Sequence, residues 1–273
     1  MQKFSFSLSE IINGFWRNRG LIKVLVKREV VGRYRGSIIG LAWSFLNPLL
    51  MLAVYTLIFS GVFNSRWSNA VHESKFDFAA ILFVGLMVHG VFSECINRAP
   101  GLIVSNVSYV KKVVFPLEIL PWVVFGAALF HMLVSFVVLL MVQAVFNQKI
   151  PLTAFLFPVV LLPLILGTMG VSWFLAAIGV YLRDVGQVAS MFSTVMLFVS
   201  AVFFPISALP EKYQVLLQLN PLAVVIEESR KVLISGVVPD FVILGKMLLV
   251  GAILAWAGFA WFQMTRKGFA DVL

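Results

Sequence analysis

The sequence predicts an all-α integral membrane protein, and three observations predict it. Of 273 residues, 61% are hydrophobic and only 12% are charged, where a soluble domain carries roughly 25% charged residues. The mean hydropathy is +1.00. The apolar residues also come in long blocks, and the alternating segments of roughly ten residues that mark a membrane β-barrel are missing. Lipid is therefore the solvent for most of the chain.

Six blocks reach the roughly 20 residues that a hydrocarbon core of about 30 Å requires. They are Ser37–Val62, Phe78–Asn97, Pro116–Phe146, Leu152–Tyr181, Gln187–Phe204 and Phe241–Met264. Pro158, Pro163, Gly167 and Gly170 predict a kinked or closely packed fourth helix. No repeat and no long linker divides the chain, so residues 1–273 are expected to form a single transmembrane domain. With six spans, both termini and the second and fourth loops share one side. That side holds 14 Lys and Arg against six on the other, which predicts cytoplasmic termini. The first 37 residues have no compact apolar region followed by a cleavage site, so no cleavable signal peptide is expected. The net charge of +9 reports orientation and anionic headgroups rather than nucleic acid. Cys95, the single cysteine, has no partner for an intrachain disulfide.

Two further segments carry information. In SLSEIINGFWRNRGLIKVLVKREVVGRYRG (Ser7–Gly36), Ser7-x-x-Glu10 has the form of a capping box. Ile11, Ile12, Phe15 and Trp16 then gather on one face, followed by basic residues, as in a helix lying in the headgroup plane. A plain positive-inside flank accounts for the charges but not for Phe15 and Trp16. The second segment, Phe203–Asp240, is apolar yet punctuated by Pro205, Pro210 and Pro221. It predicts two short helices, Glu211–Leu219 and Pro221–Ile234, dipping back from the external surface. Irregular backbone at membrane depth survives only against protein or a wet cavity, so such a re-entrant hairpin points to a nearby pathway.

Catalytic patterns fail. There is no GxxxxGK[ST] loop, and His72-Glu73 lacks the second histidine of HExxH. His72, His89, His131 and Cys95 make no recognisable metal site. Glu94, Glu118 and Lys246 lie near span ends, the glutamates too isolated to form an acid–base pair. His89, Ser93 and Asn97 share a helical face, read as interhelical hydrogen bonding ahead of a proton relay. A transporter subunit is expected, and not an enzyme. On the first span Trp43, Asn47, Met51, Tyr55 and Phe59 recur every fourth residue, drifting by about 40° per step. On the fifth, Gln187, Ser190, Thr194 and Phe198 make a mixed polar and aromatic face. Such faces suit a wet channel for sugars, or simply pack and face lipid.

The stretch RYRGSIIGLAWSFLNPLLMLAVYTLIFSGVF (Arg33–Phe63) resembles the first span of the membrane subunits of bacterial polysaccharide ABC exporters, the type-2 permeases for O-antigen, capsule and teichoic acid. The likeness continues in SNVSYVKKVVFPLEILP (Ser105–Pro121) and in the FPIS, LNPL and EESRK elements of Pro205–Gly236. It covers essentially the full length. The resemblance implies a homodimer in the bacterial inner membrane, each copy bound to a separate nucleotide-binding subunit. ATP and Mg would sit on that partner, with no cofactor in this chain. A cytoplasmic coupling helix would fall within Arg98–Phe115, using Asn106, Tyr109, Lys111 and Lys112, with Arg183 and Asp184 contributing. The amphipathic interface helix would lie around Ser7–Asn18.

The substrate implied is a polysaccharide on undecaprenyl pyrophosphate. Arginine pairs phosphate oxygens bidentately, so Arg28, Arg33 and Arg35 are the candidates for headgroup recruitment; anchoring to ordinary anionic lipid is the plainer role. Trp43, Asn47, Met51, Tyr55, Phe59, Gln187, Thr194 and Phe198 are the candidate channel lining. Pro205, Pro210, Asn220, Pro221, Glu227 and Arg230 would form an external gate within residues 205–236. O-antigen is the favoured cargo, with capsule or teichoic acid as alternatives. An exporter of a small lipid or drug, an ATP-independent channel and a membrane-embedded enzyme are more distant ones.

Overall fold

The computed structural model describes residues 7–58, 75–111, 115–146, 150–204, 206 and 210–273. Helix α1 (Leu8–Arg33) is continuous over 26 residues, longer than the expected interface helix. Its cap differs from the capping box: the Ser7 hydroxyl accepts from the Ser9 amide, and the Glu10 carboxylate pairs with Arg17 at 3.0 Å. The four apolar residues also divide. Ile11 is buried and Phe15 packs on Trp122 at 4.8 Å, whereas Ile12 and Trp16 are exposed. Ile22 and Leu25 extend the buried side onto Ile119 and Val123. The helix thus rests on the bundle along one edge and turns a second apolar edge outward.

Gly36 (φ 86°) and Gly40 (φ 57°) then take left-handed backbone that L side chains rarely adopt. They break the chain between the basic helix and the first apolar one, α2 (Trp43–Leu57), which carries Pro48 inside it. Most of α2 is exposed; only Ser44 and Leu52 are buried. Helix α3 (Lys75–Arg98) is the centre of the bundle. Ala79, Leu82, Val84, Val88 and Ile96 are fully buried, and α3 touches helices on every side. After short turns comes α4 (Val107–Lys111), then α5 (Leu120–Phe146) and α6 (Phe157–Tyr181).

Helix α7 (Val185–Val199) has 15 residues, about 22 Å at 1.5 Å per residue. The expected fifth crossing, Gln187–Phe204, therefore falls short as a helix; the chain turns at Ala201, whose φ is 54°. Among the described residues five helices are long and apolar enough to cross a membrane, and α7 is a shorter apolar one. The two short helices expected before the last span are present as α8 (Glu211–Gln218) and α9 (Pro221–Arg230). A π turn, Lys231–Ser235, continues α9 and ends at Gly236 (φ 68°). Its wider winding leaves carbonyls for other partners: Gln143 donates to Leu233 O and Thr153 to Val232 O.

Helix α10 (Phe241–Thr265), capped by the Asp240 carboxylate, pairs most extensively with α6. A Cβ on Gly258 would lie 1.9 Å from Gly170 O, so the pair of glycines sets how closely these helices approach. This is the close packing expected of the fourth apolar block. The chain ends in the short α11 (Phe269–Val272).

Candidate functional site: the basic end of the bundle

One end of the molecule gathers the charge. At the end of α1, Arg33 pairs with Glu94 on α3, and Glu94 also accepts from Arg98 at 3.4 Å. Arg98 in turn pairs with Glu29 on α1. The four groups form a ladder, Glu29–Arg98–Glu94–Arg33, with side chains between about one-fifth and two-fifths exposed. Arg28 donates both guanidinium NH groups to the Tyr109 hydroxyl at 3.3 Å. The Tyr109 ring is stacked on Phe115 at 4.3 Å. A second tie holds the C-terminus: Arg266 donates to Glu118 at 2.6 Å and to Phe115 O at 2.9 Å. Glu94 and Glu118, which look isolated in the sequence, are thus both partners of arginines.

Of the three arginines predicted to receive an anionic headgroup, Arg28 and Arg33 lean on protein partners while staying exposed, and Arg35 is exposed in the turn before α2. Arg33 also lines a cavity of about 460 Å³. Asn47, Met51 and Tyr55 on α2 line the same cavity, with His131 on α5 on its wall. The Tyr34 hydroxyl shares a hydrogen bond with His131 Nδ1 at 3.4 Å. Burial holds the Tyr34 phenol above its ordinary pKa, although the Arg33 charge pulls the other way, so it is protonated at neutral pH. The structure therefore joins three members of the α2 stripe to one of the basic candidates. Trp43 is half-buried at the start of α2 and does not line the cavity. Phe59 lies outside the described residues.

Gln187, Thr194 and Phe198 are exposed on α7 and none of them lines this cavity. The opposite face of α7 is glued to α3 by polar contacts. Ser193 Oγ donates to Ser93 Oγ at 2.8 Å, Asn97 donates to Ser93 Oγ at 3.1 Å, and His89 Nε2 donates to Ser193 O at 3.1 Å. His89 and Ser93 thus act as interhelical hydrogen-bonding groups, while Asn97 bonds to Ser93 within α3.

The predicted coupling residues sit at the same end. Asn106 donates to Leu102 O at 2.9 Å and steadies the turn into α4; Tyr109 is held by Arg28; Lys111 is exposed. Lys112 lies outside the described residues. Arg183 and Asp184 are exposed in the turn between α6 and α7. That turn adjoins the coupling segment, because Gly179 near the end of α6 packs directly against the Pro100 carbonyl.

The predicted gate residues lie elsewhere in the bundle. Pro210 begins α8. Asn220 caps α9, accepting from Leu222 N at 3.0 Å and donating to Ser200 Oγ at 3.1 Å, and Pro221 opens that helix. Glu227 pairs with Arg230 at 3.1 Å. Arg230 is buried, and its guanidinium donates to the carbonyls of Ile81, Ala201 and Val202 at 3.1, 2.8 and 2.7 Å. Gly85 gives it room, since a Cβ there would come within 2.8 Å of the guanidinium. Pro205 lies outside the described residues. Glu29, Arg98, Tyr34 and His131 were not singled out by sequence reasoning as site residues. Their partners are far along the chain, and no local spacing marks them.

The comparisons with known proteins agree with this architecture. Residues 20–234 match the family model described as ABC-2 type transporter. The chain is 30% identical over 263 residues to the O-antigen export system permease protein RfbA of Myxococcus xanthus, covering 96% of this chain and 98% of the relative. It is 24% identical over 255 residues to RfbA of Klebsiella pneumoniae, covering 93% and 95%. It is also 24% identical over 260 residues to the polysialic acid transport protein KpsM of Escherichia coli, covering 93% and 96%. This multi-pass membrane chain belongs to the ABC-2 type transporter family.

Proposed function

We propose that the chain is the transmembrane subunit of an ATP-driven exporter that moves an undecaprenyl-pyrophosphate-linked polysaccharide, O-antigen in the favoured case, from cytoplasm to periplasm. Six crossings, with α7 and the turn beyond it as the fifth, place both termini in the cytoplasm and the protein in the inner membrane of a bacterium. Two copies enclose the channel. Each binds a nucleotide-binding subunit that carries ATP and Mg, contacted through α4, Lys111, Lys112, Arg183 and Asp184. The hairpin of α8 and α9 re-enters the membrane and closes the external end.

The observation that carries this reading is the cavity shared by Arg33 and the Asn47–Met51–Tyr55 face of α2. A cation suited to phosphate stands at the head of an apolar helix that carries polar and aromatic side chains. A headgroup at Arg33 is thereby delivered to the channel side of α2. The polysaccharide named for the O-antigen relatives fits this, and the likeness to the polysialic acid transport protein KpsM favours a second reading, polysialic acid or a similar polymer handled by the same machinery.

Deletion of the gene, with surface polysaccharide and intracellular lipid-linked glycan measured in the same cells, tests the proposal. The expected result is loss at the surface with accumulation inside. Normal surface glycan without accumulation, in a strain with no second copy, rejects a polysaccharide cargo and moves the reading to a smaller lipid or drug.

A further inference from the structure

Two arginines from different helices meet at one oxygen. Arg33, at the end of α1, and Arg98, at the end of α3, both donate to Glu94 Oε1, Arg98 over 3.4 Å. Arg98 turns its other terminal nitrogen to Glu29 on α1. None of the four side chains is buried: Arg33 is 39% exposed, Arg98 and Glu29 33%, and Glu94 19%. Both guanidiniums are therefore within reach of a ligand from outside the bundle. The cluster also stays basic, since Arg28 meets a neutral hydroxyl, that of Tyr109, and Arg35 is exposed.

This arrangement has a definite chemistry. A point touched by two guanidiniums is where a phosphate oxygen gains most, because each arginine donates charge-assisted bonds in a fixed fork. In this structure the Glu94 carboxylate stands at that point. Its hold is weak, because partly exposed ion pairs contribute little. A diphosphate offers more charge and more acceptor oxygens than one carboxylate, so it competes well for the same donors.

We propose that Glu94 is a displaceable counter-ion in the headgroup site, and that Arg98 is a further arginine of that site beside Arg33. The inference rests on the reading of Arg33 as the cation that receives the headgroup, and deepens it. The arriving diphosphate takes the donors of Arg33 and Arg98, and the Glu94 carboxylate gives way. When the headgroup moves on, the carboxylate takes its place again. Glu29 remains on the far side of Arg98 and positions it. Such an exchange has a physical use: an exporter must let go of its cargo, and arginines with no competing anion would hold a multiply charged headgroup too firmly.

The test is equilibrium binding to the full chain in nanodiscs of zwitterionic lipid, where no bulk anionic headgroup competes. Two probes are compared: a fluorescent short-chain polyprenyl pyrophosphate, and the uncharged polyprenol with the same fluorophore. The readout is the ratio of their affinities within one variant, and wild type should favour the pyrophosphate. Glu94→Gln should raise that ratio about two- to fivefold, the effect of releasing partly exposed ion pairs. Glu94→Asp, which shortens the carboxylate and loosens the same contacts, should raise it less. Arg98→Gln should lower it about tenfold, as Arg33→Gln does, through lost charge-assisted bonds. Inorganic pyrophosphate at equal concentration should leave the lipid probe bound; displacement would assign the arginines to a free diphosphate and overturn the lipid assignment. A ratio that does not rise in either Glu94 variant with a wild-type thermal midpoint, or that is unchanged in Arg98→Gln, overturns the inference. If Arg33→Gln still lowers the ratio, headgroup recruitment stands without it. A wild-type ratio near one removes the headgroup reading itself. The expected result is a gain of affinity, which a damaged fold does not imitate.

Discussion

The carboxylate of Glu94, on α3, accepts a hydrogen bond from the guanidinium of Arg33 at the end of α1. This pair fixes where the basic helix stops relative to the central helix of the bundle, and therefore where Arg33 stands at its cavity. The Arg33 side chain is 39% exposed, so solvent screens the pair. A double-mutant cycle of Arg33→Ala and Glu94→Ala, read by thermal unfolding in detergent, should give a coupling of about 0.2–1 kcal/mol. It should shrink as salt rises, since exposed charges are screened over about 8–10 Å at 0.1–0.15 M. A coupling of zero at low salt would mean that Arg33 is not held by Glu94 in solution. Substrate binding should suffer differently in the two single variants: Arg33→Ala loses the cation itself, whereas Glu94→Ala only frees it.

Tyr109 ties α4 to two neighbours, to α1 by accepting from Arg28 and to the segment before α5 by stacking on Phe115. Tyr109→Phe removes the first and keeps the second. Its cost should be about 0.5–1 kcal/mol, since the hydrogen bond is exposed and only 3.3 Å at best. Tyr109→Ala removes both and opens a gap against Phe115, so it should cost more, about 2–3 kcal/mol. If α4 transmits force from an ATPase, Tyr109→Ala should also separate ATP hydrolysis from export in reconstituted vesicles while Tyr109→Phe keeps them linked. Equal export defects in both variants would assign the role to the hydroxyl instead.

How far the sequence carries the fold follows from the range of the forces involved. Pro210, Asn220 and Pro221 punctuate the chain locally, and α8 and α9 begin where that punctuation puts them. The long apolar blocks read directly as helices because lipid forces the backbone to bond to itself. The shortness of α7 was not legible: its apolar run continues to Phe204, and the helix ends at Val199, where Asn220 and Arg230 reach the carbonyls of Val199 and Ala201 from 21 and 29 positions away. The site was legible in half. Asn47, Met51 and Tyr55 follow from helical spacing. Arg33–Glu94, Arg98–Glu29 and Arg266–Glu118 join residues 61, 69 and 148 positions apart, a distance that only the packed helices reveal.

The contact between α6 and α10 tests whether packing in this bundle tolerates added volume. Gly258→Ala would put a methyl carbon 1.9 Å from Gly170 O, a backbone atom that cannot rotate away. The helices must separate, and overpacking of this kind typically costs about 1–3 kcal/mol. The thermal midpoint of Gly258→Ala in detergent should fall below that of wild type. Gly20→Ala, on an exposed face of α1 with nothing within 4 Å of the added carbon, serves as the control and should leave the midpoint unchanged or slightly raised. Equal behaviour of the two would show that α6 and α10 are looser in the membrane than their glycine contact implies.

Arg230, one of two buried charged side chains in the described structure beside Glu228, carries the last prediction. Its fork closes on three backbone carbonyls from two elements, Ile81 on α3 and Ala201 and Val202 beyond α7. Glu227, its acidic neighbour, is 30% exposed. The two halves of the pair are therefore unequal: the carboxylate offsets charge, while the guanidinium supplies hydrogen bonds to groups that have left water. Arg230→Ala should cost about 3–5 kcal/mol, because buried carbonyls lose charged donors together. Arg230→Lys should recover only a part, since an ammonium lacks the planar fork that spans separated acceptors. Glu227→Gln should cost less than about 1 kcal/mol, as for a partly exposed ion pair. Unfolding midpoints of the three variants in one detergent decide it. If Glu227→Gln matches Arg230→Ala, the ion pair dominates and the carbonyl contacts are secondary. If it stays near wild type while Arg230→Ala falls, Arg230 is the clasp that ends α7 and ties it to the centre of the bundle.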